Sequence, residues 1–134
     1  MIESLSHITF IVSDLERTSR LFVEELGATQ IYNSGDEHFS HSAEMFFKLG
    51  GLWIAIMEGD PLKERSYNHT AFYVEDCLLD QYRARLQQLG ATVLPDRKRV
   101  KGEGRSIYFY DYDNHLFELH SGTLEQRLKS YANS

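Results

Sequence analysis

The sequence predicts an α+β protein of two tandem βαβββ modules, on three observations: an internal repeat, the same order of hydrophobic patterning in each copy, and a hairpin turn before the last strand of each. Aligned with itself, Leu5-Ser6-His7-Ile8-Thr9-Phe10-Ile11-Val12-Ser13-Asp14 lies over Tyr67-Asn68-His69-Thr70-Ala71-Phe72-Tyr73-Val74-Glu75-Asp76, with His, Phe, Val and Asp in register. Leu26-Gly27-Ala28-Thr29 and Leu89-Gly90-Ala91-Thr92 close the stretches that follow, one residue out of step.

In the first module, about 1–60, apolar–polar alternation predicts strands over 6–12, 29–32, 44–49 and 52–58. Asp14 is a good helix N-cap, and Leu15, Leu21, Phe22 and Leu26 recur at near-helical spacing before Gly27, predicting a helix over 14–26. The second module, about 66–122, repeats this order with strands over 67–74, 91–95, 106–111 and 115–120 and a helix over 76–89. Gly50-Gly51 and Asp113-Asn114 are the hairpin turns. Residues 59–66, with Pro61 and several charges, read as the linker, and 123–131 as a C-terminal helix. The chain, 1–134, is thus expected to be one domain whose curved mixed sheets enclose a cavity.

A chain of 134 residues with 42% hydrophobic content can bury a core, so disorder is not the default. The net charge of −6 argues against a general nucleic-acid binder. Arg97, Lys98, Arg99, Lys101 and Arg105 form a local basic cluster, read either as a solvated loop or as an anion pocket. No apolar stretch has membrane-spanning length and no signal-peptide pattern opens the chain, so no membrane partner and a cytoplasmic location are expected. Cys77 is the single cysteine; it cannot form an internal disulfide and fits a reducing compartment.

Strand parity selects the chemistry. His7 and Thr9 share one face of their strand, opposite Ile8, Phe10 and Val12, and the apolar face should meet the helix. By the same parity His69 lies with Ala71 and Tyr73, and Glu118 with Leu116 and His120. A carboxylate in a largely apolar strand must be paired or coordinated. One strand histidine alone is as a rule structural; two imidazoles and a carboxylate at matching places suit Mn, Fe, Ni or Zn. Ile54-Ala55-Ile56-Met57 offers no fourth ligand opposite Glu118, and three ligands with open positions describe a catalytic site. His38, His41 and His115 read as solvated, and His120 as a candidate to support the ligands.

With these residues assembled, the chain resembles the fosfomycin resistance proteins of the vicinal oxygen chelate superfamily, in particular the FosX-type epoxide hydrolases. The likeness runs through Leu5-Ser6-His7-Ile8-Thr9, Trp53-Ile54-Ala55-Ile56-Met57-Glu58-Gly59, Tyr67-Asn68-His69, Gly102-Glu103-Gly104-Arg105-Ser106-Ile107-Tyr108-Phe109-Tyr110-Asp111, Asp113-Asn114-His115-Leu116-Phe117-Glu118-Leu119-His120 and Gly122-Thr123-Leu124-Glu125-Gln126-Arg127-Leu128. The resemblance implies a Mn(II) site at His7, His69 and Glu118, with His7 from one subunit and the other two from its partner, hence a homodimer. It also implies Glu44 as the general base that helps water open the fosfomycin epoxide to a vicinal diol; the residues alone read Glu44 as a solvent-facing charge at a strand edge.

A dianionic phosphonate calls for cationic and hydroxyl donors. Arg127 is the first candidate, followed by Ser106, Tyr108, Thr9 and Tyr67. Arg97, Lys98 and Arg99 occupy the loop where related transferases place a phosphonate-contacting lysine, and the sequence does not choose among them. Trp53 either walls the pocket or packs in the core. Arg105 is a candidate fixed charge where thiol-transferase relatives use a monovalent cation. Three rival functions stay open: a thiol transferase at the same metal site, a ring-cleaving iron dioxygenase, and a metal-free drug-binding dimer. Glu44 weighs against the first, because a carboxylate beside the nucleophile assists water and repels a thiolate.

Overall fold

The predicted alternation becomes strand β1 (His7–Val12) in the structure, a computed structural model that describes residues 1–36, 42–97 and 99–134. His38, His41 and Lys98 therefore lie outside the described residues. The chain divides into two compact units, Met1–Glu64 with Tyr112–Asn114, and Arg65–Asp111 with His115–Ser134.

In the first unit β1 is followed by α1 (Leu15–Arg20), β2 (Thr29–Asn33), β3 (Glu44–Leu49) and β4 (Leu52–Glu58), and the sheet runs in the order β1-β4-β3-β2. Only β1 and β4 are parallel. Phe10 and Val12 face the core with Met45, Phe47, Ile54 and Ile56, while His7 and Thr9 are exposed. Asp14 caps α1 by accepting the Arg17 N–H at 3.0 Å. The expected single α-helix over 14–26 is corrected: after Arg20 it widens into a π-helix (Leu21–Glu25), with the Leu26 N–H donating to the Leu21 carbonyl at 3.2 Å. The wider turn suits the side chains, because Leu21 and Leu26, five apart, are buried on one side together with Phe22.

The second unit repeats the topology with β5 (His69–Tyr73), α2 (Leu79–Gln88), β6 (Thr92–Val93), β7 (Ser106–Tyr110) and β8 (Leu116–His120), in sheet order β5-β8-β7-β6, and ends in α3 (Leu124–Ala132). Phe109 and Phe117, 5.6 Å apart, anchor its core with Leu79, Leu86, Ile107 and Leu119. The helix expected over 76–89 begins instead with a 3-10 turn (Asp76–Leu78), because the Asp76 carboxylate accepts from Arg105 and Ser121 rather than capping the helix. Strand β6 is shorter than 91–95; beyond Val93 only the Leu94 N–H still reaches the Tyr108 carbonyl, at 2.8 Å. His115 is not solvated: its backbone N–H and Nδ1 both meet the buried Asp111 carboxylate, each at 2.8 Å.

Candidate metal and substrate site

Register, rather than any single side chain, shows how the two units are specialised. In the second, His69 pairs with Leu116 and Ala71 with Glu118; in the first, His7 pairs with Trp53 and Thr9 with Ala55. Ala55 therefore stands at the place of Glu118. Across the next strand Glu44 pairs with Met57 and Ser106 with His120, so Glu44 and Ser106 are counterparts.

His69 and Glu118 meet. The His69 Nδ1 lies 2.7 Å from the Tyr67 carbonyl, an acceptor, which fixes the proton there and leaves the Nε2 lone pair directed 3.2 Å from Glu118 Oε1. Tyr67 and Tyr108 flank the imidazole at 4.9 and 5.4 Å between ring centres. Glu118 is 4% exposed, and its Oε2 accepts a short hydrogen bond from the Ser106 hydroxyl. Burial, aided by the charges of Arg127 and Arg99, holds His120 below its ordinary pKa against the pull of Glu118. Neutral His120 then accepts from Arg127 Nη2 at its Nε2, at 3.1 Å, and donates from Nδ1 to Ser106 Oγ at 2.6 Å. Arg127, His120, Ser106 and Glu118 thus form one directed chain of hydrogen bonds. Ser106, expected as a phosphonate donor, directs its hydroxyl to the Glu118 carboxylate here.

A hollow of about 320 Å³ opens over this chain, lined by His69, Glu118, His120 and Arg127 among others. Arg99 reaches the same carboxylate, its Nη2 3.7 Å from Glu118 Oε2 and its Cζ 5.9 Å from the centre of the Tyr108 ring. Burial first, then Tyr67 and the charge of Glu118, raise the pKa of Tyr108, while Arg97 opposes them. Arg97 and Arg99 both bind Glu103, a buried residue that the sequence reading passed over; a lone acid among basic residues in a glycine-flanked stretch was its one signal. Arg105 turns to the start of α2, binding Asp76 and Asp80.

In the first unit His7 stacks on Trp53 at 4.2 Å, with Nδ1 3.0 Å from Ser6 Oγ. Trp53 is half-buried, and its Nε1 has no hydrogen-bond partner among the described residues. Thr9 and Glu44 share the face of His7, since Thr9 pairs with Ala55, which pairs with Phe46, and Glu44 is two residues from Phe46. The Glu44 backbone is fixed by Ser34, whose hydroxyl accepts the Glu44 N–H and whose N–H donates to the Glu44 carbonyl, each at 3.0 Å. No hydrogen bond or ion pair occupies its carboxylate among the described residues. Within one chain, no group of three His, Cys, Asp or Glu able to hold a metal ion occurs among the described residues.

A family model, the glyoxalase/bleomycin resistance protein/dioxygenase superfamily, matches residues 4–119. The fosfomycin resistance protein FosX of Listeria innocua serovar 6a is 59% identical over 131 residues, covering 98% of each chain. The chain belongs to the FosX-type fosfomycin resistance proteins of this superfamily. The metallothiol transferase FosB of Shouchella clausii is a more distant relative, 36% identical across 98% of this chain and 88% of its own. Among solved structures, a single-residue variant of FosX from Listeria monocytogenes, complexed with Mn(II) and 1S,2S-dihydroxypropylphosphonic acid, superposes with a TM-score of 0.90 at 56% identity, covering 98% of this chain and 99% of the other. Membership accounts for the duplicated sheets and for the two histidines at equivalent positions. Among the described residues no helix is long and apolar enough to cross a membrane.

Proposed function

We propose that the chain is a Mn(II)-dependent hydrolase that opens the epoxide of fosfomycin with water, giving the vicinal diol without a thiol adduct. The observation that carries this reading is the buried Glu118 carboxylate set 3.2 Å from a His69 Nε2 whose opposite nitrogen is already committed. A close pair of one imidazole and one carboxylate, lacking a partner for the remaining coordination, fits a borderline divalent ion. His7, oriented by Trp53 and Ser6, is the third ligand, contributed by a second copy of the chain, so that the working unit is a homodimer with shared sites. Each copy is one vicinal oxygen chelate domain over 1–134, with modules of about 1–60 and 66–122 followed by the helix of about 123–131.

When bound, the metal supplies Lewis-acid stabilisation of the negative charge that develops on the epoxide oxygen. The chain supplies the rest. Arg127 binds the phosphonate with Tyr108, Thr9, Tyr67 and Arg97, and Trp53 walls the site beside His7. Glu44 takes a proton from water as the water oxygen bonds to a ring carbon and the ring C–O bond breaks. The resulting alkoxide takes a proton from solvent to become the second hydroxyl, while Glu44 returns its own to solvent. The relative solved with Mn(II) and a dihydroxypropylphosphonate supports this reading, since that ligand is the diol such a reaction yields.

Phosphorus NMR of the Mn(II)-loaded protein with fosfomycin and no thiol tests it. The diol signal should appear, and Glu44→Gln should lower turnover by about 100-fold or more while Mn(II) affinity holds, as expected for loss of a general base. Product formed only with added thiol would point to the transferase instead.

A further inference from the structure

Glu103 is 1% exposed, although it lies in Lys101-Gly102-Glu103-Gly104-Arg105, whose composition reads as a solvated loop. Its carboxylate is filled with donors. Oε1 accepts from Arg97 Nη2 at 2.8 Å, from Arg99 Nη1 at 3.2 Å and from the Tyr131 hydroxyl at 3.1 Å, and Oε2 accepts the Val100 N–H at 2.9 Å. Burial raises its pKa, but the Val100 N–H, Arg97 and Tyr131 outweigh burial and bring it down to about 2. It is therefore charged at neutral pH, and the Arg97 guanidinium that binds it is held above its own ordinary pKa by that contact.

Both cations line a hollow beside Ser106, whose hydroxyl donates to Glu118. Arg99, whose side chain is 15% exposed, reaches Glu118 and the Tyr108 ring, and the nearby Arg97 pulls the Tyr108 pKa down against burial. Glu103 itself lines neither the hollow over His69 and Glu118 nor the smaller one bounded by Arg83, Arg97, Arg99 and Ser106. It touches the cations from behind. A guanidinium on a long side chain loses rotamer freedom when it binds an anion, and a side chain already locked loses less.

We infer that Glu103 is a positioning residue that locks Arg97 and Arg99 as a preset cationic pair, poised on the Glu118 side of the site for a dianionic phosphonate. This rests on the proposed reading of the site as one that binds fosfomycin.

The test uses full-length protein loaded with Mn(II). Glu103→Gln should raise KM for fosfomycin about tenfold or more, with kcat within about threefold, as expected when binding common to ground and transition states is lost. Its affinity for inorganic phosphate, measured by calorimetry, should fall by a similar factor, while Mn(II) binding followed by electron paramagnetic resonance stays unchanged. Glu103→Asp keeps the charge but is one methylene short, so it should fall between wild type and Glu103→Gln; it also serves if the glutamine variant does not fold. Ser130→Ala removes the hydrogen bond from α3 to the Lys101 carbonyl without touching Glu103, and should lower Tm and leave KM alone. Wild-type KM and phosphate affinity in the Glu103 variants would overturn the inference, and so would a KM in Ser130→Ala as high as in Glu103→Gln. Absence of turnover by the wild-type protein would remove the hydrolase reading, yet weaker phosphate binding by the Glu103 variants would still uphold the role of this carboxylate.

Discussion

Glu118 is held in place by its neighbours, and each neighbour is a point where the site can be perturbed. The Ser106 hydroxyl donates to Oε2 and accepts from His120, so Ser106→Ala leaves a buried carboxylate oxygen and an imidazole N–H both short of a partner. Groups that orient a ligand typically change metal affinity 10–100-fold when removed, so Ser106→Ala should weaken Mn(II) binding by about tenfold or more in a metal titration. Glu103 predicts a pH effect. Its folded pKa of about 2 lies below the ordinary value of 4.5, so the unfolded chain binds more protons between these values. Its contribution is complete above the unfolded value and is lost as pH falls toward about 2; denaturant titrations should show Glu103→Gln losing less stability than wild type over that window. At this scale the face on which His7, His69 and Glu118 lie was legible, because strand parity and the repeat set them opposite Phe10, Phe72 and Phe117. Glu103 was not, since what buries it is the packing of α3 and two arginines, and neither leaves a local pattern in the sequence.

Elements fix these side chains through backbone contacts that leave no room for a methyl group. The segment entering β7 passes so near the chain leaving β8 that a Cβ on Gly122 would stand 2.5 Å from the Glu103 carbonyl oxygen and 2.8 Å from His120 Nε2. Gly104, at φ +92°, faces the same approach from the other side. Gly122→Ala should therefore cost about 1–3 kcal/mol in urea unfolding, the usual range for overpacking, and should also weaken fosfomycin binding because it presses on Glu103 and His120 together. Element identity and order were legible because alternation, the Asp14 cap and the two glycine-ended helices are local signals. Helix form was not: the π-helix at Leu21–Glu25 and the 3-10 turn at Asp76–Leu78 answer to core packing and to Arg105, both of which act from outside the segment.

At the scale of the whole molecule, the duplicated architecture distributes the proposed metal ligands unequally: His7 belongs to the first unit, and His69 and Glu118 to the second. At the register position where the second sheet carries Glu118 the first carries Ala55, so at these matching places one unit offers a single imidazole and the other an imidazole with a carboxylate. A homodimer with ligands shared between copies makes a prediction that sites confined to one copy do not. His7→Ala homodimers would lack the imidazole in both sites, and Glu118→Gln homodimers would lack the carboxylate in both. In a mixed dimer both lesions fall in the same site, because the altered His7 of one copy meets the altered Glu118 of the other, and the second site is intact. Equal amounts of the two variants, unfolded together and refolded with Mn(II), should thus recover about a quarter of wild-type turnover, since random pairing makes half the dimers mixed and each mixed dimer carries one working site of two. Sites confined to one copy would recover nothing. Phosphorus NMR of the diol before and after co-refolding, with size exclusion to establish the dimer, separates the two arrangements.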